Sequence, residues 1–283
     1  NASSAVCMDE RPLARSVVAR HRFGRLFSLG DRNSPAAWSP ALILSKDDEK
    51  LPYSLAPFEF SRDSSSLPAK LSINTRTNLT LPFDNLDLWE ATEGLVLPPS
   101  LVESNSGDFA IGKEILPLSW QSLHHDNTLN NKDLVPSIII LTDAPQLANQ
   151  KGLLSEALFI IRTRFPSSLI WTPGIGGPDN CAILTWMGVD LFDLARSRHA
   201  SSIGVILSEN GPREIEDSLD EDSSMSSQIL AWKNSLAATR SAIRHGNLRE
   251  LVEKQAISSP RSVERLRIHD ARMSELDGSI SGL

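Results

Sequence analysis

Residues 137–193 constrain the fold of this chain more than any other stretch, because they spell strand, helix, strand, helix, strand with short links. Residues 137–142 form a continuously apolar, β-branched run, which is how a strand covered on both faces reads. Leu153, Leu154, Ala157, Leu158, Ile160 and Ile161 then recur at helical spacing up to Arg164, where Phe165-Pro166 stops the pattern. A strand at 169–172, a Gly/Pro loop at 173–177, a helix from about 178 to 187 and a strand at 189–192 complete the unit.

Parallel strands joined by single helices belong to an open doubly wound sheet or to a closed (β/α)8 barrel. Both folds carry their functional loops at the carboxyl ends of the strands. Asp143, the 173–177 loop and Asp193 each lie just past a predicted strand and are the positions to examine.

The flanks are less regular. Residues 22–44 read as a β-hairpin, with apolar runs at 23–29 and 38–44 around a Gly30-Asp31-Arg32-Asn33 turn. Residues 45–130 hold several strands whose order the sequence does not give, broken by Ser/Pro/Asn-rich stretches and ending in a polar loop at 124–133. A further strand at 203–207 precedes an acidic, serine-rich loop at 209–227. A long amphipathic helix at 229–254 follows, with Lys233, Arg240, Arg244, His245, Arg249 and Lys254 on its charged side. The tail at 271–283 reads as frayed, with no further domain.

With 283 residues the chain is long enough for one large α/β barrel. Its formal net charge of -7 gives no global attraction to a polyanion, so RNA contact would have to come from a local basic surface. Cys7 and Cys181 lack the paired spacing of a zinc site or a disulfide framework, which points to a reducing compartment and no structural metal. No apolar run reaches the roughly 18 residues of a membrane span, and no secretory core is present, so a cytoplasmic location is expected. The chain begins at Asn1 and not at Met, so it reads as trimmed or a fragment.

The segment Trp171-Thr172-Pro173-Gly174-Ile175-Gly176-Gly177-Pro178-Asp179-Asn180, followed by Met187-Gly188-Val189-Asp190-Leu191-Phe192-Asp193, resembles the signature of the tRNA-guanine transglycosylase superfamily. There a strand runs into a G-[VI]-G-x-P-x-N loop and, after a helix, a G-[VI]-D-x-F-D strand ends at the catalytic carboxylate. Residues 204–211 resemble the strand and turn that follow that carboxylate. Residues 240–248 are similar to the R-x-A-I-R-x-G-x-L text near the end of these barrels. Continuation through 251–253, 258–260 and 266–267, together with 137–147, points to the transglycosylase-like domain of archaeal archaeosine synthases. The likeness is clearest over 135–270, within a single domain at 1–270.

The resemblance implies a degenerate (β/α)8 barrel of TIM type, with an N-terminal β-hairpin and a long C-terminal helix, that binds tRNA and a deazaguanine base. In the family an aspartate attacks the ribose carbon bearing guanine, and by position Asp193 would be that nucleophile. Asp143 is a weaker catalytic candidate. Trp171, Gly174, Ile175 and Gly176 would floor the base pocket, since glycines let a flat base approach the backbone. Arg198 and His199, and Arg240, Arg244 and Arg249 on the helix, are the tRNA-facing candidates.

The family's zinc motif, three cysteines and a histidine, would fall at 214–228, which contains neither residue type, so no cofactor is expected. Conversion of the inserted nitrile base would require a separate chain supplying catalytic and RNA-binding C-terminal domains. Two rival functions accompany this reading: an active base-exchange glycosyltransferase, and a non-catalytic tRNA-binding subunit. A barrel enzyme acting on a small molecule is a third.

Residue type alone supports plainer roles. Asp193 and Asp143 suit helix caps, Asp190 a structural carboxylate, Cys181 a buried small hydrophobe, and His124-His125-Asp126 a solvated loop.

Overall fold

The computed structural model describes residues 15–30, 33–45, 48–61, 72–74, 115–125, 127–130, 132–216 and 224–281. It begins with an antiparallel sheet of β1 (Arg15–His21), β2 (Gly24–Gly30) and β3 (Pro35–Trp38), in that order. The expected hairpin is there, although Asp31 and Arg32 of its turn lie outside the described residues. Its second apolar run divides: Trp38 pairs with Ser28, whereas β4 (Ala41–Leu44) leaves for another sheet. Strand β1 escaped the sequence reading because Val17 and Val18 are exposed and give no inward-facing pattern.

The second sheet has seven strands: β4, β5 (Phe58–Ser61), β6 (Ser72–Asn74), β7 (Ile115–Leu118), β8 (Ile138–Leu141), β9 (Leu169–Trp171) and β10 (Leu191–Asp193). Their spatial order is β6-β5-β4-β10-β9-β8-β7. Every pairing in it is parallel. The last of these strands thus lies beside the first, with Asp193 opposite Ile43.

Helices follow in chain order: α1 (Trp120–His125), α2 (Ala144–Asn149), α3 (Leu153–Arg164), α4 (Cys181–Trp186) and α5 (Ala195–Ser202). The strand expected at 203–207 is β11 (Val205–Ser208), which forms a hairpin with β12 (Gly211–Glu214) and does not join the parallel sheet. Three helices complete the fold: α6 (Ser224–His245), α7 (Leu248–Ala256) and α8 (Pro260–Ser281). None of the described helices is long and apolar enough to cross a membrane.

The continuous apolar runs of β4 and β8 follow from burial of both sheet faces. Leu42, Leu44, Ile139, Leu141, Ile170 and Phe192 pack with the helices, in one cluster with Leu158, Ile161, Leu184 and Trp232. Ala41, Ile43, Ile138, Ile140, Leu169, Trp171 and Leu191 form a second cluster, closed by Phe27, Leu29 and Ala37 of the small sheet. The strand periodicity of two is therefore present, but every position is apolar.

Two expectations change. The single helix over 229–254 is divided between α6 and α7 at Gly246, whose φ of 73° is left-handed. The Asn247 amide donates to the Ala242 carbonyl at 2.9 Å and the Gly246 amide to Ile243 at 3.3 Å, a Schellman stop that a glycine permits. The tail after Ala271 is not frayed: α8 continues to Ser281, held by buried Met273 and by an Asp277–Arg22 ion pair at 2.7 Å.

Helix α8 also carries His269 into the core, fully buried, with Nδ1 3.3 Å from the Ser155 hydroxyl and Nε2 without a partner. Burial pushes its pKa down from 6.5 to about 4, with Asp270 opposing the shift. A base whose folded pKa is depressed adds stability that is complete above its unfolded pKa and is lost as acid protonates it. The stability difference between wild type and His269→Phe is therefore expected to fall by up to about 3 kcal/mol as pH drops from 6.5 to 4. Urea unfolding of both proteins across that range measures it, and a pH-independent difference would refute it.

Candidate functional site

The two halves of the glycine and aspartate signature meet at the carboxyl ends of β9 and β10. Asp193 ends β10 and is 4% exposed. Its Oδ2 accepts hydrogen bonds from Trp171 Nε1 at 3.0 Å and from the Gly174 amide at 2.8 Å. Its Oδ1 accepts from the Ala195 amide at 3.0 Å, at the start of α5. Burial pushes this carboxyl above the ordinary carboxylate range, while the Gly174, Ala195 and Trp171 donors and nearby Arg198 pull it back. Asp193 thus ties the indole at the end of β9 and the glycine loop to its own strand. The cap reading captures only the Ala195 bond.

Gly174 has a φ of 78°, a conformation that favours glycine at this turn. Asn180 pins the loop from the other side: its Oδ1 accepts from the Gly177 amide at 2.8 Å and its Nδ2 donates to the Ile175 carbonyl at 2.9 Å. Gly176 is required to be small by the core beneath the loop. A Cβ there would stand 2.5 Å from Phe192 Cδ1, so the missing side chain makes room for a core phenyl ring. Trp171 is fully buried and Ile175 is 7% exposed.

Arg198 pairs with Asp48, whose Oδ2 also accepts from the Ser45 amide at 2.7 Å and the Ser45 hydroxyl at 3.0 Å. Asp48 lies just past β4, the strand beside β10, and its side chain is 1% exposed. This carboxylate was missed from sequence. The available signal was a Ser45-x-x-Asp48 turn after an apolar run, which is common enough to be uninformative. His199 is half-buried on the same helix.

Asp143 follows β8 and is fully buried, but its side chain does not cap α2. Its Oδ2 accepts from the Trp120 amide at the start of α1, at 2.7 Å, while Oδ1 has no partner. Burial raises its pKa to about 6 against the opposing amide bonds.

The remaining arginine candidates stand at the other end of the sheet. Arg240 donates from Nε to the Pro40 carbonyl at 2.8 Å and from Nη1 to Ser54 at 3.3 Å, and those residues precede β4 and β5. Arg244 stacks over Trp38 at 5.5 Å. Arg249 is held by Glu253 and Asp270, each at 2.7 Å, and lies over Trp186. The five arginine and histidine candidates are thus split between opposite ends of the strands, with only Arg198 and His199 on the Asp193 side. Helical spacing put three of them on one face but gave no information on what that face covers.

Cys181 is buried beside Thr239, and its thiol is pushed up to about 12 by burial. It packs as a small hydrophobe, as its context suggested. Cys7 lies outside the described residues. His124 stacks on Trp120 at 4.1 Å between ring centroids and faces Glu156 at 3.4 Å, while Asp126 lies outside the described residues. Among the described residues no group of three or more histidine, cysteine, aspartate or glutamate side chains is placed to hold a metal ion.

Beside the glycine loop opens a cleft of about 570 Å³, lined by Gly174, Ile175, Asn180 and the first turn of α8.

The chain is similar to archaeosine synthase from Methanocaldococcus jannaschii. The two are 28% identical over 124 residues, which is 44% of this chain and 21% of that protein. The matched stretch therefore spans about a fifth of the relative's length. No protein-family model matches the chain.

Proposed function

We propose that this chain is a transglycosylase-like barrel that binds tRNA and a deazaguanine base in archaeosine-type tRNA modification. The observation that carries the reading is the convergence on Asp193 of Trp171 and Gly174, two signature positions from the preceding strand and loop. Similarity to an archaeosine synthase supports it independently.

Strand order supports the barrel. From β4 to β6 and from β7 to β10, each step moves one place in the same direction along the sheet. Right-handed crossovers that all step one way put every helix on one face. A doubly wound sheet reverses direction and covers both faces with helices; here the second face is filled by side chains of the strands themselves and of the small sheet. Parallel pairing of the last strand with the first then amounts to closure.

On this reading Asp193 is a positioning residue for the base pocket. Three N–H donors hold its carboxylate against the glycine loop and the start of α5, which fixes the floor on which a base would rest. The family zinc has no part, since 214–228 lacks cysteine and histidine. Conversion of the base belongs to a partner chain, and the work is cytoplasmic.

The test is incubation with unmodified archaeal tRNA and a radiolabelled nitrile-bearing deazaguanine, with binding read by filter retention and incorporation by acid precipitation. Retention without incorporation is expected. Incorporation would make the chain a base-exchange enzyme with Asp193 as nucleophile, and absence of both signals would overturn the tRNA reading.

A further inference from the structure

We propose that the cleft between the glycine loop and the first turn of α8 binds a phosphate group, and that on the Asp193 side of the sheet this is where the RNA backbone is held. The second half rests on the tRNA-binding reading; the first does not.

Three arginines, Arg196, Arg261 and Arg265, line this one cavity of about 570 Å³, against a single carboxylate, Asp179. That carboxylate is already committed, since both its oxygens accept from Arg196, at 2.6 and 2.7 Å. Arg265 donates from Nη2 to the Ala148 carbonyl at 2.8 Å, a contact that fixes its direction without neutralising its charge. Arg261 is exposed and makes no hydrogen bond or ion pair with the described residues. Glu264, the nearest other acid on α8, is paired with Lys151 at 2.9 Å.

Two of the three guanidinium groups, Arg261 and Arg265, therefore face the cleft without an ion-pair partner among the described residues, in a protein whose net charge is -7. Burial lowers the Arg265 pKa, and repulsion from Arg196 and Arg261 lowers it further, against the opposing pull of Asp179 and Glu264. An anion would relieve that repulsion. The Ser259 and Ser262 hydroxyls also line the cavity and make no hydrogen bond that competes for a ligand. Guanidinium forks and hydroxyls around the positive end of a 22-residue helix suit a tetrahedral oxyanion with several acceptor oxygens.

Position gives the site its meaning. Gly174 lines the cleft and donates its amide to Asp193, so the cleft and the signature carboxylate share one loop. A base held against that loop would place a neighbouring phosphate within the cleft's reach. Arg240 and Arg249, by contrast, have protein partners at the opposite end of the strands.

Equilibrium dialysis with radiolabelled pyrophosphate and a salt titration of tRNA retention test the two halves. The proteins compared are wild type, Arg261→Glu and Arg20→Glu, both variants altering an exposed arginine by the same charge. Arg261→Glu is expected to weaken pyrophosphate binding at least about tenfold and to lower the log-log salt slope by roughly one, while Arg20→Glu leaves both unchanged. Wild type failing to bind pyrophosphate, or both variants binding it equally, overturns the cleft even if tRNA is retained. Pyrophosphate binding that depends on Arg261, with no tRNA retention, keeps the phosphate site and overturns the RNA reading.

Discussion

Arg162→Met is expected to destabilise the protein by about 3–5 kcal/mol, the cost of leaving a buried charge without its partner. Arg162 and Asp190 are both buried, 2.5 Å apart, and Asp190 Oδ2 also accepts from the Ile170 amide at 2.8 Å. The guanidinium further donates to the Ser168 carbonyl at 2.8 Å and to Gly188. It therefore links α3 to the residues that lead into β9 and β10. Methionine fills much of the volume but supplies none of the donors, so Asp190 would remain buried with only one amide. Adding Asp190→Leu to that variant should recover a large part of the loss, because the uncompensated charge is then gone. Urea unfolding of the two variants decides the matter. A single variant within about 1 kcal/mol of wild type would mean that water reaches the pair and that it is not the staple described.

Asp193→Ala is expected to cost about 4 kcal/mol, since it deprives three buried N–H groups of their acceptor at about 1–3 kcal/mol each, less than additively. Asp193→Asn should fall between alanine and wild type: the amide oxygen still accepts, but its NH2 must face one of the remaining donors. Loss of the Gly174 bond should loosen the 173–177 loop, read as faster proteolytic cleavage there at a temperature where the rest of the fold persists. If Asp193→Asn is as stable as wild type, with an unchanged loop, then the carboxylate is not a structural tie and its charge has to be explained by chemistry.

Much of this was legible from residue order. The buried strands β8, β9 and β10, helix α3 and the glycine loop between strand and helix follow from local apolar runs, their period and their stop signals. The loop and Asp193 could be paired as one site because their order and spacing resemble a family signature. The pieces that failed did so for identifiable reasons. Strand β1 shows its apolar residues to solvent, and the 229–254 helix stops at a glycine that helical patterning alone tolerates. Asp48 and Arg198 are 150 positions apart, and no local pattern links them.

The same limit governs the charged residues. Asp190 and Asp193 lie three positions apart, yet one is the counter-ion of Arg162 and the other gathers Trp171, Gly174 and Ala195. Arg240 has the same local helical context as an exposed arginine, but its partners Pro40 and Ser54 are nearly 200 positions away, and burial lowers its pKa to about 10. The sequence by itself determined which segments become strands and helices, and that their carboxyl-end loops carry the distinctive residues, because those properties arise from periodicity and backbone preference within a few turns of chain. Only the tertiary structure decided which charges hold the fold and which stand free beside a cavity, because a charge acquires both its partner and its degree of burial through space, and the two together set its electrostatic cost.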